Sequence, residues 1–425
     1  MKYQRTFTGF TTANHKEFTC VVGSDFHLVA QLDVILRQLL AFDIPNILVV
    51  TDDNLYPLIG KEIVCILSKN YLVKPLIMPT PLRANLGHVD YIIDQATPGC
   101  LFVAVGSGTI NDLVKYAAAQ LQRPYIVVAT APSMNGYCAA NASLADRGIK
   151  KTFAAVPPAA AFFDLDLLMQ APKNMIAAGI ADCLCRSTVQ ADWLLAHLLI
   201  NTSYDSNIVR EQVDVEQTVM PIITKATQQN PKAMLGLVQL IVLSGIAMTN
   251  FGSSAPASQG EHMLAHYLET HAKANHGQCL LHGEMIALTC LIMSELQEKI
   301  LHMPVLHNLN IKDYGINLLQ ESYLQQYAND YWDVFQIKQA RIQQYPSLTE
   351  KLKHQWPYWR RQISAVKVSS DLLFSIFQNL GLPTTAEEIG LSDDDIKRAM
   401  FYTRFTRDRF TFLDLADWAG VLTLP

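Results

Sequence analysis

Five of the twelve histidines of this chain fall within 21 consecutive positions. They are His262, His266, His271, His276 and His282. His262 and His266 are four residues apart, a spacing that places both imidazoles on one face of a helix. Imidazole is the commonest metal ligand in proteins and a general acid or base near neutral pH. The window therefore predicts a site of metal binding or proton transfer.

A carboxylate that could complete a metal site lies earlier in the chain. Asp182 falls in a long, mostly apolar predicted helix, where a buried charge without a partner would be costly. With His262 and His282 it would give two imidazoles and one carboxylate, a usual set for catalytic zinc. Iron(II) and nickel are alternatives. Hydrogen-bonded core residues are the other interpretation, because spacing alone does not show that the three residues converge.

A glycine-rich turn joins an apolar run to a helical segment. The turn and the start of the helix contain Gly106, Ser107, Gly108, Thr109 and Asp112. Glycines let the backbone approach a ligand closely, and the N–H groups at the start of a helix favour an anion such as pyrophosphate. A single GxG is a weak signal, so an ordinary strand–helix turn is an equal alternative.

Polar side chains also follow two other apolar runs: Asp52 and Asp53 after one, and Thr130, Ser133 and Asn135 after the other. A carboxylate at such a position can accept hydrogen bonds from a ribose and would repel the 2′-phosphate of NADP. The alternative for the aspartates is a helix N-cap. The hydroxyl and amide groups suit hydrogen bonds to a nicotinamide or a polar substrate, or a simple turn.

Five short runs of apolar, often β-branched residues alternate with amphipathic stretches, and the polar groups described above follow three of these runs. The five runs cover residues 18–22, 47–50, 72–78, 101–105 and 125–128. The pattern predicts a parallel sheet covered on both faces, which binds ligands at the carboxyl ends of its strands. We therefore expect an α/β nucleotide-binding domain over residues 1–168.

Strand signals fade after residue 168, and an all-α domain is predicted over residues 169–425. Its helices are expected at residues 174–199, 234–251, 260–272 and 283–300. Residues 305–363 are more polar and predict surface helices without visible chemistry. No linker or internal repeat separates the two domains.

The composition excludes several classes of protein. Half of the residues (50%) are hydrophobic and 17% are charged, which is opposite to the balance of disordered chains. Residues 234–248 are interrupted by polar residues and glycines, so they predict a buried helix and no membrane insertion. The net charge of −5 without a basic run argues against nucleic acid. Scattered cysteines and no signal segment predict a cytoplasmic protein with reduced thiols.

Taken in order, several segments of the chain resemble the sn-glycerol-1-phosphate dehydrogenase family, above all its bacterial branch associated with arabinose operons. The segments are VVTDDN (49–54), VGSGTINDLVKY (105–116), ATAPSMNGY (129–137), AAGIADCLCRSTVQADWLLA (177–196), LSGIAMTNFGSSAPASQGEHMLAHY (243–267), LHGEM (281–285), TAEEIGLS (385–392) and TRDRFTFLDL (406–415). This family is part of the superfamily of iron-containing alcohol dehydrogenase, glycerol dehydrogenase and dehydroquinate synthase. The resemblance implies a Rossmann-like α/β domain followed by an all-α domain, as in dehydroquinate synthase.

The resemblance also implies roles for single residues. Asp182, His262 and His282 correspond to metal ligands, and His266 to a histidine near substrate and nicotinamide. The implied cofactor-binding residues are Asp52 at the ribose, the loop residues Gly106, Ser107, Gly108, Thr109 and Asp112, and Thr130 and Ser133 at the nicotinamide end.

The implied reaction is the reversible reduction of dihydroxyacetone phosphate to sn-glycerol 1-phosphate by NADH or NADPH, a step in phospholipid metabolism. One divalent metal (zinc in first place, nickel or iron as alternatives) would act as Lewis acid. His266, or a water on the metal, is the candidate proton donor. Arg407 and Arg409 match the family's RDR and, with Arg404, could bind the phosphate of a small polyol or ketone. A homo-oligomer is expected.

Asn135 departs from the family pattern, which has a catalytic aspartate at this position. Asparagine keeps hydrogen bonding but cannot take a proton, so Asn135→Asp is expected to raise activity. Arg186, where relatives often have lysine, is a smaller change. The alternatives are glycerol dehydrogenase, dehydroquinate synthase, or a catalytically altered nucleotide- or metabolite-binding relative. A mononuclear iron oxygenase shares the ligand set, but the nucleotide domain argues against it. No role is predicted for His271 or His276.

Overall fold

The computed structural model describes residues 4–10, 17–23, 32, 36–37, 46–271, 280–307, 309–322 and 324–422. The chain forms two compact units, and each is built from two stretches of chain. Unit 1 comprises Met1–Cys183 and Arg210–Ser254, and unit 2 comprises Leu184–Val209 and Ala255–Pro425. The domain boundary at residue 168 stays a prediction.

Unit 1 contains, within its described residues, a seven-stranded sheet and a separate hairpin. The strands are β1 (Gln4–Phe10), β2 (Glu17–Gly23), β3 (Asn46–Asp52), β4 (Leu72–Met78), β5 (Leu101–Gly106), β6 (Tyr125–Ala129), β7 (Asn141–Asp146), β8 (Ile149–Ala154) and β9 (Ala160–Asp164). The order is β1-β2-β9-β6-β5-β3-β4, with β1 antiparallel at one edge and all other neighbours parallel. β7 and β8 pair as the hairpin.

The five strands predicted from apolar runs are confirmed. β5 and β6 are buried along their whole length, as expected for central strands of a parallel sheet covered on both faces. β9 was not predicted, although it lies between β2 and β6. Its sequence AAFFD follows a stretch rich in proline and alanine, which masks the apolar run.

Helices alternate with strands in unit 1 and predominate after β9. In chain order they are α1 (Lys61–Leu67), α2 (Leu86–Gln95), α3 (Gly108–Gln120), α4 (Leu165–Met169), α5 (Lys173–Leu184), α6 (Arg186–Ile200), α7 (Ser206–Val219), α8 (Pro231–Phe251), α9 (Gly260–His271), α10 (His282–Leu301), α11 (Asn317–Gln320), α12 (Ala328–Gln343), α13 (Leu348–Ala365), α14 (Ser370–Asn379), α15 (Asp393–Tyr402) and α16 (Phe412–Trp418).

The prediction of a single helix over residues 174–199 is wrong in one respect, because two helices, α5 and α6, are separated at Cys185. The carbonyl oxygen of Cys185 accepts the hydroxyl of Thr188 at 2.8 Å and the backbone N–H of the same residue at 3.0 Å. The same carbonyl also accepts the backbone N–H of Val189 at 3.1 Å, so the break is confined to Cys185. Apolar periodicity does not reveal a break of one residue.

Helix α8 is long and apolar enough to cross a membrane by length and composition, yet 67% of its most apolar window is buried. Its glycines lie at close packing points. A Cβ atom added at Gly236 would lie 2.7 Å from Cγ1 of Val219, and one at Gly245 would lie 2.8 Å from Cβ of Cys138. The prediction of a buried helix is therefore confirmed, and α8 is a core helix of unit 1.

The core of unit 2 contains apolar side chains from α6, α10, α13 and α16. The prediction that residues 305–363 form only surface helices is wrong for α13. Leu352, Trp356 and Ile363 are fully buried in this core, and Nε1 of Trp356 donates to the carbonyl of Met303 at 2.8 Å. The apolar residues recur every three or four positions on one helical face, a signal that the surrounding charged residues obscure.

Candidate active site

The predicted dinucleotide loop of unit 1 ends β5 and begins α3. Ser107 is extended at the N-cap of α3, with φ −79° and ψ −171°. A Cβ atom at Gly106 would lie 2.5 Å from Cβ of Ile110, and one at Gly108 would lie 2.6 Å from Sδ of Met134. Gly106 is therefore required by close packing, whereas a side chain at Gly108 would displace the flexible side chain of Met134. The first N–H groups of α3 are the candidate anion-binding groups of this loop.

The two predicted cofactor segments of unit 1 lie side by side. The backbone N–H of Thr130 donates to the carbonyl of Gly106 at 3.1 Å. The hydroxyl of Ser133 accepts from the backbone N–H of Gly108 at 3.4 Å. The structure therefore brings the residues after β5 and those after β6 to one edge of the sheet, as the parallel arrangement requires.

Asp112 is engaged inside unit 1. Its carboxylate accepts the ammonium of Lys115 at 3.2 Å and the backbone N–H of Ser143 at 2.9 Å. Lys115 is fully buried and donates further to the carbonyls of Gly136 and Asn141. This ion pair, which sequence reasoning missed, ties α3 to the segment after β6 and to β7. Asp112 therefore stabilises the glycine-rich turn indirectly, through its bonds to Lys115 and Ser143.

The two carboxylates at the end of β3 are engaged differently, Asp52 in a local turn and Asp53 with the more distant Thr80. Oδ1 of Asp52 accepts the backbone N–H groups of Asn54 at 3.0 Å and Leu55 at 2.9 Å. Asp53 accepts the hydroxyl of Thr80 at 2.6 Å. Burial raises the pKa of Asp52, whereas the hydrogen bonds from Thr80 lower the pKa of Asp53. The ribose-binding role of Asp52 stays a prediction.

Asp182 and Asn135 are joined by two hydrogen bonds in unit 1. The backbone N–H of Asn135 donates to Oδ2 of Asp182 at 2.7 Å, and its side-chain Nδ2 donates to the carbonyl of Asp182 at 2.8 Å. One turn earlier in α5, a Cβ atom at Gly179 would lie 1.6 Å from the carbonyl oxygen of Pro132. Gly179, for which no role was predicted, therefore lets α5 lie directly against the segment after β6.

Unit 2 brings three of the predicted site residues together. His262 and His266 lie on α9, and His282 is the first residue of α10. The ring centroids are 6.1 Å apart for His262 and His266, 5.4 Å for His262 and His282, and 5.3 Å for His266 and His282. His262 and His266 are only 6% and 8% exposed. Spacing predicted the shared face of the first two, and the fold adds the third.

Each of these rings has a charged residue at Nδ1. Oε1 of Glu261 lies 2.8 Å from Nδ1 of His262, and Oε1 of Glu269 lies 2.8 Å from Nδ1 of His282. Nη2 of Arg407 lies 2.9 Å from Nδ1 of His266. Sequence reasoning missed both glutamates, although Glu261 directly precedes a histidine of the cluster.

The buried carboxylate of Asp192 on α6 positions these residues. It accepts the backbone N–H of Gly260, at the start of α9, at 3.0 Å and that of Phe412, at the start of α16, at 2.8 Å. Burial and the neighbouring Glu261 raise the pKa of Asp192 to about 8. Asp192 thereby holds the helix that carries two of the histidines and the chain segment that follows Arg407.

The three arginines proposed for phosphate binding differ in their surroundings. Arg404 is 2% exposed and pairs with Asp417 at 2.8 Å. Arg407 and Arg409 both donate to Ser258, to its hydroxyl and its carbonyl respectively. Burial and the charge of Arg409 lower the pKa of Arg407 to about 9. Arg404 is therefore part of an internal ion pair, whereas Arg407 and Arg409 converge near the histidines.

His271 belongs to an aromatic cluster outside this site. Its Nε2 lies 2.6 Å from the hydroxyl oxygen of Tyr331, and its ring packs against Tyr267 and Tyr327. Burial lowers the pKa of His271 to about 4. His276 lies outside the described residues.

Comparison with known proteins identifies the family. Residues 27–172 match a family described as iron-containing alcohol dehydrogenase. A glycerol-1-phosphate dehydrogenase (NAD(P)+) of Bacillus licheniformis is 28% identical over 88% of this chain and 83% of its own length. The enzyme of the same name from Thermoplasma volcanium is 30% identical over 58% of this chain and 69% of its own length. The chain belongs to the glycerol-1-phosphate dehydrogenase family.

Membership of this family makes the chain an NAD(P)-linked oxidoreductase, as the resemblance implied. The fold is also confirmed. The crystal structure of glycerol dehydrogenase from Schizosaccharomyces pombe superposes with a TM-score of 0.61 at 16% identity, over 95% of this chain and 88% of that one. The predicted combination of a Rossmann-like α/β part and a helical part is therefore correct.

Proposed function

We propose that this enzyme reduces dihydroxyacetone phosphate reversibly to sn-glycerol 1-phosphate with NADH or NADPH. The observation that carries the proposal is the convergence of three buried or half-buried histidines with an arginine in unit 2 of a glycerol-1-phosphate dehydrogenase family member. Imidazoles suit both Lewis-acid metal binding and proton transfer, and guanidinium groups suit a phosphate.

We propose Asp182, His262 and His282 as the ligands of one divalent metal, zinc in first place and nickel or iron as alternatives. The chemistry of the donors fits this role. The Nδ1 atoms of both histidines face carboxylates, and Asp182 is a buried carboxylate. When bound, the metal polarises the ketone as a Lewis acid, and the nicotinamide supplies the hydride.

The residues of unit 1 supply the proposed cofactor site. The N–H groups at Gly108 and Thr109 would bind the pyrophosphate, Asp52 the ribose, and Thr130 and Ser133 the nicotinamide end. Gly106 and Ser107 allow the turn, and Asp112 stabilises it through its ion pair with Lys115. These assignments rest on the family pattern and on the packing of the loop.

The remaining proposed roles concern the substrate. His266 donates the proton to the substrate oxygen, and Arg409 binds the phosphate with charge-assisted hydrogen bonds. Asn135 holds Asp182 by two hydrogen bonds and moves no proton. We further propose a cytoplasmic homo-oligomer. None of the cysteines within the described ranges forms a disulfide, which supports a reducing compartment.

A substrate panel tests this function. The zinc-loaded chain is assayed by NADH and NADPH absorbance with dihydroxyacetone phosphate, dihydroxyacetone and, in the reverse direction, glycerol. We expect turnover of the phosphorylated ketone and at least tenfold lower kcat/KM for its unphosphorylated counterpart, about the loss of one charged hydrogen-bond partner. Turnover of glycerol and dihydroxyacetone without the phosphate ester would instead identify a glycerol dehydrogenase.

A further inference from the structure

The groups at the three Nδ1 atoms divide the histidines of unit 2 into two kinds. We propose that Glu261 and Glu269 are positioning residues that direct Nε2 of His262 and His282 to the metal. We propose equally that Arg407 is a positioning residue that keeps His266 off the metal as the proton donor. This inference rests on the proposed function, because it assigns a metal ligand or a proton donor to each ring.

The carboxylates determine where His262 and His282 carry their protons. A carboxylate oxygen accepts hydrogen bonds, so Nδ1 of each ring donates to its glutamate, at 2.8 Å in both cases. A neutral imidazole has one N–H, and its Nε2 then carries the lone pair. Carboxylates hold metal-binding histidines in this tautomer and orientation and make them better ligands.

Both glutamates are themselves held in place. Glu261 is fully buried, and its Oε1 also accepts the backbone N–H of Gln259 at 2.8 Å, while its Oε2 lies 3.2 Å from the hydroxyl oxygen of Thr188. Glu269 lies on α9 and reaches His282 at the first residue of α10. The two carboxylates thus fix one histidine on each of the two helices.

Arg407 has the opposite effect on His266. A guanidinium group has only donors, so Nδ1 of His266 accepts from Nη2 of Arg407 at 2.9 Å. The neutral ring then has its proton on Nε2 and can donate it. By distance alone, His266 could form a metal-binding set with Glu269 and His282, because their ligand atoms lie within 4.8 Å of one another. The positive charge of Arg407 at Nδ1 and the proton on Nε2 both oppose the binding of a metal ion by His266.

The positioning role of the two glutamates is tested with Glu269→Gln. The side chain of Glu269 is 22% exposed, so the full chain is expected to fold with this isosteric change. Zn²⁺ affinity is measured on metal-stripped protein by competition with a chromogenic chelator. We expect an affinity about 10- to 100-fold below that of the unmodified chain, and a similar loss for Glu261→Gln. The matched control is Glu295→Gln, an exposed carboxylate on α10, the helix that begins at His282, which should leave the affinity unchanged.

The role of Arg407 is tested with Arg407→Met, which keeps an unbranched side chain, shortens it and removes its donors. We expect undiminished Zn²⁺ affinity and a changed visible spectrum of the Co²⁺-loaded protein, because His266 is then free to turn a ring nitrogen to the metal. The kcat should be at least tenfold lower at the same KM for dihydroxyacetone phosphate. An unchanged Co²⁺ spectrum would show that Arg407 does not keep His266 off the metal. An increase in KM at constant kcat would show that Arg407 binds the phosphate and would overturn this part. Weaker Zn²⁺ binding would also overturn it.

The outcomes separate this inference from the proposed function. An unmodified chain that neither binds Zn²⁺ nor reduces dihydroxyacetone phosphate would refute the proposed function itself. An unmodified chain that does both, together with full Zn²⁺ affinity in Glu269→Gln and Glu261→Gln, would refute the positioning role alone.

Discussion

The amide of Asn135 is used as a donor in this fold. Its Nδ2 donates to the carbonyl of Asp182 at 2.8 Å, and its backbone N–H holds the carboxylate of the same residue. An aspartate at this position has no donor and would place carboxylate oxygens against that carbonyl. The sequence-based expectation that Asn135→Asp raises activity is therefore replaced by the opposite one.

Asn135→Asp is expected to lower the free energy of unfolding by about 1 to 3 kcal/mol, because it leaves a buried acceptor without its hydrogen bond. The kcat/KM for dihydroxyacetone phosphate should not rise. Urea unfolding and steady-state kinetics measure the two effects. Asn174→Asp is the control, since Asn174 is exposed in the first turn of α5 and uses only its side-chain oxygen. A stable and more active Asn135→Asp would refute this account.

The proposed metal ligands can be tested one at a time. We expect His262→Ala and His282→Ala each to abolish stoichiometric zinc binding while circular dichroism stays unchanged, because two remaining ligands bind zinc too weakly. His302→Ala, an exposed histidine just after α10, should retain its zinc. Elemental analysis measures the bound metal, and a full complement in either site variant would remove that histidine from the ligand set.

The partly buried His271 predicts a pH dependence of stability. Its pKa is about 4 in the folded chain against an ordinary value of 6.5, so below pH 6.5 the unfolded chain binds a proton that the folded chain does not. Stability is therefore complete above this pH and is lost as the pH falls towards 4. Since the ring is partly exposed, we expect a loss of about 1 kcal/mol at about pH 5.

His271→Phe is the variant that isolates this effect, because it keeps an aromatic ring against Tyr267 and Tyr327 and removes the titration. Urea unfolding of both proteins at about pH 7.5 and about pH 5 gives the comparison. The unmodified protein should lose more stability than the variant over this interval. Equal losses would show that His271 does not titrate as its burial requires.

At the scale of elements, the contact between α5 and the segment after β6 depends on Gly179. A Cβ atom there would lie 1.6 Å from the carbonyl oxygen of Pro132, a distance that requires the backbone to move. Gly179→Ala should lower the free energy of unfolding by about 3 kcal/mol, as for a severely overpacked core position. It should also weaken zinc binding, because α5 carries Asp182.

Gly87→Ala on α2 is the matched control for this prediction. An added Cβ at Gly87 would meet only Oδ1 of Asn85, at 3.4 Å, which is ordinary contact. Alanine in a helix without such a clash stabilises by about 0.5 to 1 kcal/mol over glycine. Thermal unfolding of both variants measures the difference. Equal melting temperatures would contradict the close approach of α5.

Periodicity and apolar runs predicted most elements but few of their connections. β5 and β6 are continuous apolar runs, so their sequence was sufficient. The hairpin of β7 and β8 was missed because its strands are only partly buried. The break before α6 was missed because it is only one residue long, at Cys185, between two buried helices.

The site shows the same limit. The histidine cluster was visible because its members are close in sequence, whereas Arg407 lies 141 residues from its partner His266. Lys115 and Gly179 act through neighbours that only the fold supplies. A single sequence therefore identifies the chemical groups, and the hydrogen bonds that orient them require the structure.

At the scale of the whole molecule, the low charged fraction of 17% reflects how much of the chain is core. The sheet of unit 1 is buried along its central strands, α8 is a core helix, and α13 buries its apolar face in unit 2. The expected homo-oligomer stays a prediction, which sedimentation equilibrium tests directly.

The central claim is that this chain forms the sn-1 enantiomer of glycerol phosphate from dihydroxyacetone phosphate. The most direct test treats the product of the zinc-loaded enzyme and NADH with a dehydrogenase specific for sn-glycerol 3-phosphate. We expect NADH consumption in the first reaction and no oxidation of its product in the second. A product that the second enzyme oxidises would contradict the claim, as would a first reaction that consumes neither NADH nor, in a parallel assay, NADPH.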